Sequence, residues 1–301
     1  MSVNRRDFLK TAAATATISL GGAARTARAE PSAGAKDGHY AMLNDATRCV
    51  GCRACQAVCK REHELGRAGA NALYDMPTDL NAHSLTLIQL HKQSANRWTF
   101  VKKQCLHCSD ASCVSVCPVS AFTKRDDGVV AYDPGKCIGC RYCQYACPFN
   151  VPTFEFDEAA PVIQKCDFCK DLRLAKGEAP FCASVCPAGA ITFGTRGAML
   201  EEAKARIAKN PERYNPHVYG ETEIGGTSVL YLAPKDVTFE QLGYPSYEET
   251  KPFALQETIQ HGIFKYWIPP VALYASLALV AYTTGRKQRA EDAEKEGGQQ
   301  P

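Results

Sequence analysis

The sequence predicts an α+β fold in which two similar cysteine-rich modules are fused and followed by one C-terminal helix long enough to span a membrane. Three observations support this prediction. Sixteen of the 301 residues are cysteines, and they fall into four groups of four. Two of these groups are nearly identical in sequence. Residues 266–284 contain no charged side chain, and this length lies within the roughly 17–25 residues that a transmembrane helix needs.

The cysteine groups are the strongest signal in the chain. Arg48–Gln56 in the first group and Lys136–Gln144 in the third share the order Cys-x-Gly-Cys-Arg-x-Cys-Gln. This internal repeat indicates two fused ferredoxin-like modules. The groups are Cys49, Cys52, Cys55 and Cys59; Cys105, Cys108, Cys113 and Cys117; Cys137, Cys140, Cys143 and Cys147; and Cys166, Cys169, Cys182 and Cys186.

This spacing predicts four [4Fe–4S] clusters. Each iron of a cubane cluster binds one thiolate, and a C-x2-C-x2-C loop can bring three sulfurs to three irons of one cube. In bacterial two-cluster ferredoxins the last cysteine of C-x2-C-x2-C-x3-C-P binds the neighbouring cluster instead. Proline follows Cys117, Cys147 and Cys186, whereas Lys60 takes that place in the first group. The second and fourth groups also have longer gaps before their third cysteines, and we expect these loops to pass over their clusters.

Disulfides and zinc are the alternative uses of these cysteines. An exported chain with an even number of cysteines could form disulfides, but a chain of this length does not need them for stability. Zinc sites commonly use two separated Cys-x2-Cys pairs, and three cysteines at i, i+3 and i+6 would leave one thiolate surplus in each motif. The spacing therefore favours iron–sulfur clusters.

Nucleic-acid binding and catalysis receive no support from the sequence. The net charge of +3 depends on the basic N-terminus, and the rest of the chain holds slightly more acidic than basic residues, without the basic cluster that a nucleic-acid surface needs. We find no G-x-G-x-x-G motif after a strand, no second metal constellation and no cysteine outside the four groups. The sequence predicts a non-catalytic protein.

Short strands and one helix are predicted between and after the cysteine groups. An Asp-Gly turn joins Ala121–Lys124 to Val129–Tyr132 as a hairpin, and Ala190–Phe193 forms a further short strand. An apolar face with helical spacing predicts a helix over Ala198–Lys209. After a turn at Gly225-Gly226, the chain continues through Thr227–Leu232, and we interpret this last region as a C-terminal appendage that serves docking and packing.

The two ends of the chain predict export and membrane anchoring. Arg5 and Arg6, a weakly apolar run and the triplet Ala27-Arg28-Ala29 resemble a twin-arginine signal, which exports folded proteins. Arg286, Lys287 and Arg289 follow the uncharged segment and indicate a cytoplasmic C-terminus, so the body lies on the periplasmic side. The predicted divisions are a signal peptide (1–29), an electron-transfer domain with its appendage (30–250), a juxtamembrane linker (251–265), a transmembrane helix (266–285) and a cytoplasmic tail (286–301).

The four-group arrangement, over about residues 40–195, resembles the ferredoxin-like beta subunits that serve molybdopterin oxidoreductases, formate dehydrogenases and some hydrogenases. The twin-arginine pair and the segment Tyr219–Leu232 before an anchor look most like the iron–sulfur subunits of periplasmic, membrane-bound nickel–iron hydrogenases of the hydrogenase-2 type. The resemblance implies that the chain carries electrons from the small subunit of a hydrogenase, which is bound to its large subunit, to an integral-membrane quinone-reacting subunit.

The same resemblance implies which cysteines share a cluster, because in that family the first group pairs with the fourth and the second with the third. The implied ligand sets are Cys49, Cys52, Cys55 and Cys186 (cluster 1); Cys166, Cys169, Cys182 and Cys59 (cluster 2); Cys105, Cys108, Cys113 and Cys147 (cluster 3); and Cys137, Cys140, Cys143 and Cys117 (cluster 4).

Two questions stay open from the sequence. The beta subunit of a formate dehydrogenase is the alternative identity, and the chain's own Arg5-Arg6 pair argues against it because such subunits usually travel on the signal of their catalytic partner. His107 either donates a hydrogen bond to a cluster sulfur or is simply packed. The aromatic residues beside the ligands are expected to shield clusters from water; they are Tyr142, Phe149 and Phe168.

Overall fold

The computed structural model describes residues 36–65, 78–154, 156, 161–247 and 268–297. The predicted signal peptide and juxtamembrane linker lie outside these residues. The strands are β1 (Tyr40–Asp45), β2 (Leu87–Ser94), β3 (Arg97–Lys103), β4 (Phe122–Lys124), β5 (Val130–Tyr132), β6 (Thr153–Phe154), β7 (Ile163–Gln164), β8 (Ile191–Thr195) and β9 (Val229–Leu232). The helices are α1 (Ala54–Glu62), α2 (Ser112–Ser115), α3 (Tyr142–Ala146), α4 (Phe181–Ser184), α5 (Arg196–Lys209) and α6 (Ile268–Gly297).

A three-stranded sheet in the order β8-β1-β9 organises the body. β1 pairs antiparallel with β8 and parallel with β9. Side chains alternate between the two faces of a strand, and both faces of β9 are covered. Leu230 and Leu232 pack with Leu43 on the face under α5, whereas Val229 and Tyr231 enter the larger core on the other face. Every residue of β9 is therefore buried.

Three two-stranded hairpins, β2–β3, β4–β5 and β6–β7, alternate along the chain with the segments that carry the cysteines. The predicted hairpin around the Asp-Gly turn is confirmed as β4–β5, with Phe122 opposite Tyr132. Asp127 stabilises the turn because its Oδ1 accepts a hydrogen bond of 3.0 Å from the backbone N–H of Val129. The predicted strand after the fourth group is confirmed as β8.

The predicted helix is confirmed as α5, which begins two residues earlier than expected. The Thr195 hydroxyl accepts from the backbone N–H of Ala198 at 3.4 Å and caps the first turn, and Pro211 follows the last turn. Ala203 is completely buried, with Leu200 and Ile207 packed beside it against β1 and β9. The periodicity of the apolar residues thus predicted the buried face.

The C-terminal part of the body does not form a separate appendage but belongs to the central sheet. Asp45 on β1 connects it to the core, because Oδ2 of Asp45 accepts from the Tyr214 hydroxyl at 2.9 Å and from Nη1 of Arg206 at 3.0 Å. The Asp45 carboxylate is fully buried, so these charge-assisted bonds replace its hydration. The chain after α5 is therefore part of the structural core.

A helix is present at the C-terminus as α6, which continues beyond the predicted boundary at residue 285 into charged sequence. Within the described part of the chain, no helix combines the length and the apolar character needed to cross a bilayer. The prediction of a transmembrane helix over residues 266–285 is not supported by the structure.

Candidate iron–sulfur sites

The repeated sequences of the first and third groups fold into the same local backbone. Gly51 and Gly139 both have φ of +70°, and Arg53 and Arg141 both have φ of +62°. A left-handed conformation at a residue other than glycine costs about 1–2 kcal/mol, and each arginine directly precedes a helix, α1 or α3. A Cβ at Gly51 would lie 2.6 Å from the ring of Phe100. The loop therefore requires glycine there.

The first cavity is lined by three cysteines of the first group and one of the fourth. Its walls are largely apolar and include Ile88, Phe100 and Ile191. This combination of sulfur donors and dry walls is what a cluster requires. The cysteines are Cys49, Cys52, Cys55 and Cys186.

The second cavity is lined by three cysteines of the fourth group and one of the first. The helix α1 packs against α4, which brings the last cysteine of the first group across to the fourth. Phe168, which is buried, and Phe181 form part of the wall. The cysteines are Cys59, Cys166, Cys169 and Cys182.

The second and third groups repeat this exchange. A third cavity has Ala111, Val130 and Phe149 in its wall, and Phe149 is buried as predicted for a shielding residue. Its cysteines are Cys105, Cys108, Cys113 and Cys147. The remaining set also meets in space, where α2 packs against α3: burial and the nearby thiols of Cys140, Cys117 and Cys137 raise the pKa of Cys143 to about 12.

The chemistry of these sulfurs fits iron ligation. Burial raises the pKa of Cys55 to about 12 and that of Cys147 to about 11, so these side chains are neutral thiols until a metal displaces their protons. Backbone N–H groups point at two other sulfurs, from Ala121 to Sγ of Cys117 at 3.2 Å and from Gly139 to Sγ of Cys137 at 3.4 Å. All sixteen cysteines are free, and all lie in described residues.

His107 is packed in the core of the body. Its ring is fully buried, Nδ1 accepts from the backbone N–H of Val130 at 3.0 Å, and the ring meets Phe168 edge-on at 4.5 Å. Among the described residues, Nε2 of His107 has no hydrogen-bond partner. Tyr142, in contrast to the expected shielding role, is 39% exposed.

A histidine that the sequence reasoning missed lies beside the second cavity. Nε2 of His63 is 3.1 Å from Oδ1 of Asp167, and Nδ1 of His63 is 3.9 Å from Sγ of Cys59. Ligand atoms of His63, Asp167 and Cys169 lie within 4.8 Å of one another. Because Cys169 already belongs to the second set, this group is part of the same site, where its hydrogen bonds can tune a cluster.

Two further lysines, Lys165, which is buried, and Lys124, which is half-buried, were also missed by the sequence reasoning. Nζ of Lys165 donates to the backbone carbonyls of Val130 at 2.6 Å and Cys166 at 3.0 Å. Nζ of Lys124 donates to those of His107 at 2.9 Å and Gly128 at 2.6 Å. Burial lowers the pKa of Lys124 to about 8. Both ammonium groups are satisfied by backbone oxygens.

The comparisons with known proteins agree with this donor chemistry. Residues 96–196 match the model of the 4Fe-4S dicluster domain. Hydrogenase-2 operon protein HybA of Escherichia coli O157:H7 is 36% identical over 92% of this chain and 94% of its own length. The nitrate-inducible formate dehydrogenase iron-sulfur subunit of E. coli K12 is 37% identical over 64% of this chain and 67% of its own. A protein of Nitratidesulfovibrio vulgaris is 43% identical over 77% of this chain, which spans 64% of that protein.

Proposed function

The chain belongs to the family of iron–sulfur subunits that contains hydrogenase-2 operon protein HybA and the formate dehydrogenase iron–sulfur subunits, and we propose that it relays electrons through four [4Fe–4S] clusters. It is an electron-transfer iron–sulfur protein. We assign it a non-catalytic role within an oxidoreductase complex. The observation that carries the cluster number is the gathering of all sixteen cysteines into four sets of four.

The proposed ligand sets are the four groups of cysteines that meet in space. Each set combines three cysteines of one group with one of its partner group, as in two-cluster ferredoxins. The first and fourth groups thus share clusters 1 and 2, and the second and third groups share clusters 3 and 4. The exchange between the first and fourth groups locks together parts of the chain that are more than a hundred residues apart.

The clusters at the two ends of the relay are assigned from the exposure of their cysteine ligands. Cys52 of the first set and Cys140 of the fourth are the two exposed cysteines. Electron tunnelling falls steeply with distance, so a partner's redox centre gains most from an exposed ligand. Tyr145, Phe156 and Ile138 are at least 64% exposed on the side of the third group, and such apolar surface is typical of docking sites. We assign clusters 1 and 4 to the two ends.

The partners we propose are a hydrogenase, through its small and large subunits, at one end and an integral-membrane quinone-reacting subunit at the other. The support is the extent of the similarity: the match to hydrogenase-2 operon protein HybA covers 92% of this chain, whereas the match to the formate dehydrogenase subunit covers 64%. Co-purification from solubilised membranes distinguishes them, since a molybdenum-containing partner in place of nickel would support the formate dehydrogenase alternative.

Anaerobically purified protein is expected to contain about sixteen iron and about sixteen acid-labile sulfide per chain, because each cubane carries four of both. Iron and sulfide analysis of the full chain measures this, with a visible spectrum that dithionite bleaches as the second readout. About eight iron per chain would leave two of the four sets without a cluster, and stoichiometric zinc would reject the assignment.

We further propose that the chain is exported by the twin-arginine pathway and held at the periplasmic face of the membrane through its C-terminal segment. Leu273, Leu279 and Val280 on α6 are each at least 46% exposed, and exposed apolar side chains of this kind favour contact with lipid or with a membrane-embedded partner.

Replacing Arg5 and Arg6 by lysine is expected to leave cluster-loaded protein in the cytoplasm, since the pathway reads the arginine pair. Cell fractionation with an antibody against the chain measures its location, and iron content shows whether the retained protein is folded. The matched control is Lys10→Arg, which keeps the pair and should be exported. Periplasmic localisation of the double variant at the wild-type level would contradict the proposed export route.

A further inference from the structure

Lys102 on β3 is buried between the first and second cavities. It contributes to the walls of both and is only 4% exposed. The next residue, Lys103, has its Nζ 2.8 Å from the exposed carboxylate of Asp79, as the alternation of side chains along a strand requires. The two adjacent lysines therefore differ in environment: one reaches the surface and the other enters the interior.

The position of Lys102 is fixed by its backbone. Its carbonyl oxygen accepts hydrogen bonds from the hydroxyl groups of Tyr231 at 2.8 Å and Tyr244 at 2.9 Å. Both tyrosines are buried. Two hydroxyl donors on one carbonyl hold this part of β3 in place, so the side chain enters the space between the two cavities from a defined point.

The ammonium group of Lys102 has no hydrogen-bond partner among the described residues. This separates Lys102 from Lys124 and Lys165, whose ammonium groups donate to backbone carbonyls. An uncompensated buried charge costs several kcal/mol. Within the described parts of the chain no carboxylate forms an ion pair with Lys102, and both cavities that it borders are lined by cysteines.

Those cysteines come from both sets. Burial lowers the pKa of Lys102, but Cys182, Cys55 and Cys166 together raise it above its usual range. Cys55 belongs to the first set, and Cys166 and Cys182 belong to the second. A cubane with four thiolate ligands is an anion that gains one more negative charge on reduction, and nearby charge is one of the factors that set its potential.

We propose that Lys102 is a counter-cation shared by clusters 1 and 2 and that it raises the reduction potentials of both. This inference rests on the proposed ligand sets. Lys102 is not a ligand: it acts through space on two centres, which a cation on the surface cannot do because water screens it. Its charge favours the reduced form of each cluster.

The test is redox titration of the anaerobically purified full chain, followed by electron paramagnetic resonance, for Lys102→Met. We expect the equilibrium constant for one-electron reduction of each of the two clusters to fall by about tenfold, equivalent to about 59 mV for each tenfold change. Lys102→Arg keeps the charge and should restore both potentials. Lys103→Met is the matched control on the same strand and should leave them unchanged. Variants of Cys55 and Cys166 identify the two signals.

Iron and sulfide content separates this inference from the proposed function. Wild-type protein without clusters 1 and 2 would reject the ligand sets themselves. With wild-type content intact, unchanged potentials in Lys102→Met, or a shift in one cluster alone, would overturn the shared role of Lys102. If Lys102→Met does not retain the two clusters, their retention in Lys102→Arg supports charge compensation, and their loss in both variants shows a purely structural role and overturns the inference.

Discussion

Cys59→Ala is expected to damage the cluster held by Cys166, Cys169 and Cys182, which are more than a hundred residues away, and to leave the cluster of its own group with all four ligands. The reason is the position of Cys59 on α1, whose packing against α4 places this sulfur in the second cavity. An iron without its thiolate is readily lost, which converts a four-iron cluster to a three-iron cluster with a distinct electron paramagnetic resonance signal.

The comparison that decides this prediction is between pairs of variants. Cys59→Ala and Cys166→Ala should lose the same signal, and Cys186→Ala and Cys49→Ala should lose another. Total iron should fall by about one atom per chain in each variant if a single site opens. A match between Cys59→Ala and Cys49→Ala would instead mean that each group holds its own cluster, and the exchange of ligands between groups would be wrong.

The candidate ligand residues could be proposed from the sequence because the spacing of the cysteines is a local pattern. A C-x2-C-x2-C loop indicates its chemistry within seven residues, and the repeat of Arg48–Gln56 in Lys136–Gln144 is matched by equal φ angles at Gly51 and Gly139 in the structure. The pairing of distant groups came from family resemblance, and the structure brings the same four sets together. Their ligation remains a prediction for the cysteine variants to test.

The environment of the clusters could not be predicted in the same way. His63 and Asp167 are 104 positions apart, and Lys102 gains its setting from cysteines of two groups and from tyrosines after residue 230. No local pattern marks such residues. Lys102 and Lys103 are adjacent and chemically identical, and only the register of β3 decides which of them is buried.

The same contrast between local patterns and distant contacts applies to the prediction of the fold. The β4–β5 hairpin and the helix α5 follow from short-range signals, namely an Asp-Gly turn and an apolar face with helical spacing. The parallel pairing of β9 with β1 joins Met42 to Val229, and no local signal records a partner so distant. For this reason, the sequence indicates only an appendage where the structure has a strand that completes the central sheet.

Gly51→Ala is expected to release the first cluster far more readily than Gly139→Ala releases the fourth. Both glycines have φ of +70°, so both substitutions incur the same backbone cost of about 1–2 kcal/mol. The difference lies in what the new Cβ meets. At Gly51 it would lie 2.6 Å from the ring of Phe100, whereas at Gly139 the nearest atom is 3.6 Å away on Phe154.

Phe100 forms part of the wall of the first cavity, so displacing its ring disturbs the cluster directly, and overpacking of this kind typically costs a further 1–3 kcal/mol. The rate at which each cluster signal disappears in mild denaturant measures the effect in both variants. Gly51→Ala combined with Phe100→Leu should recover much of the loss, because the smaller side chain leaves room for the methyl group. Equal losses in the two single variants would show that backbone conformation alone explains the glycines.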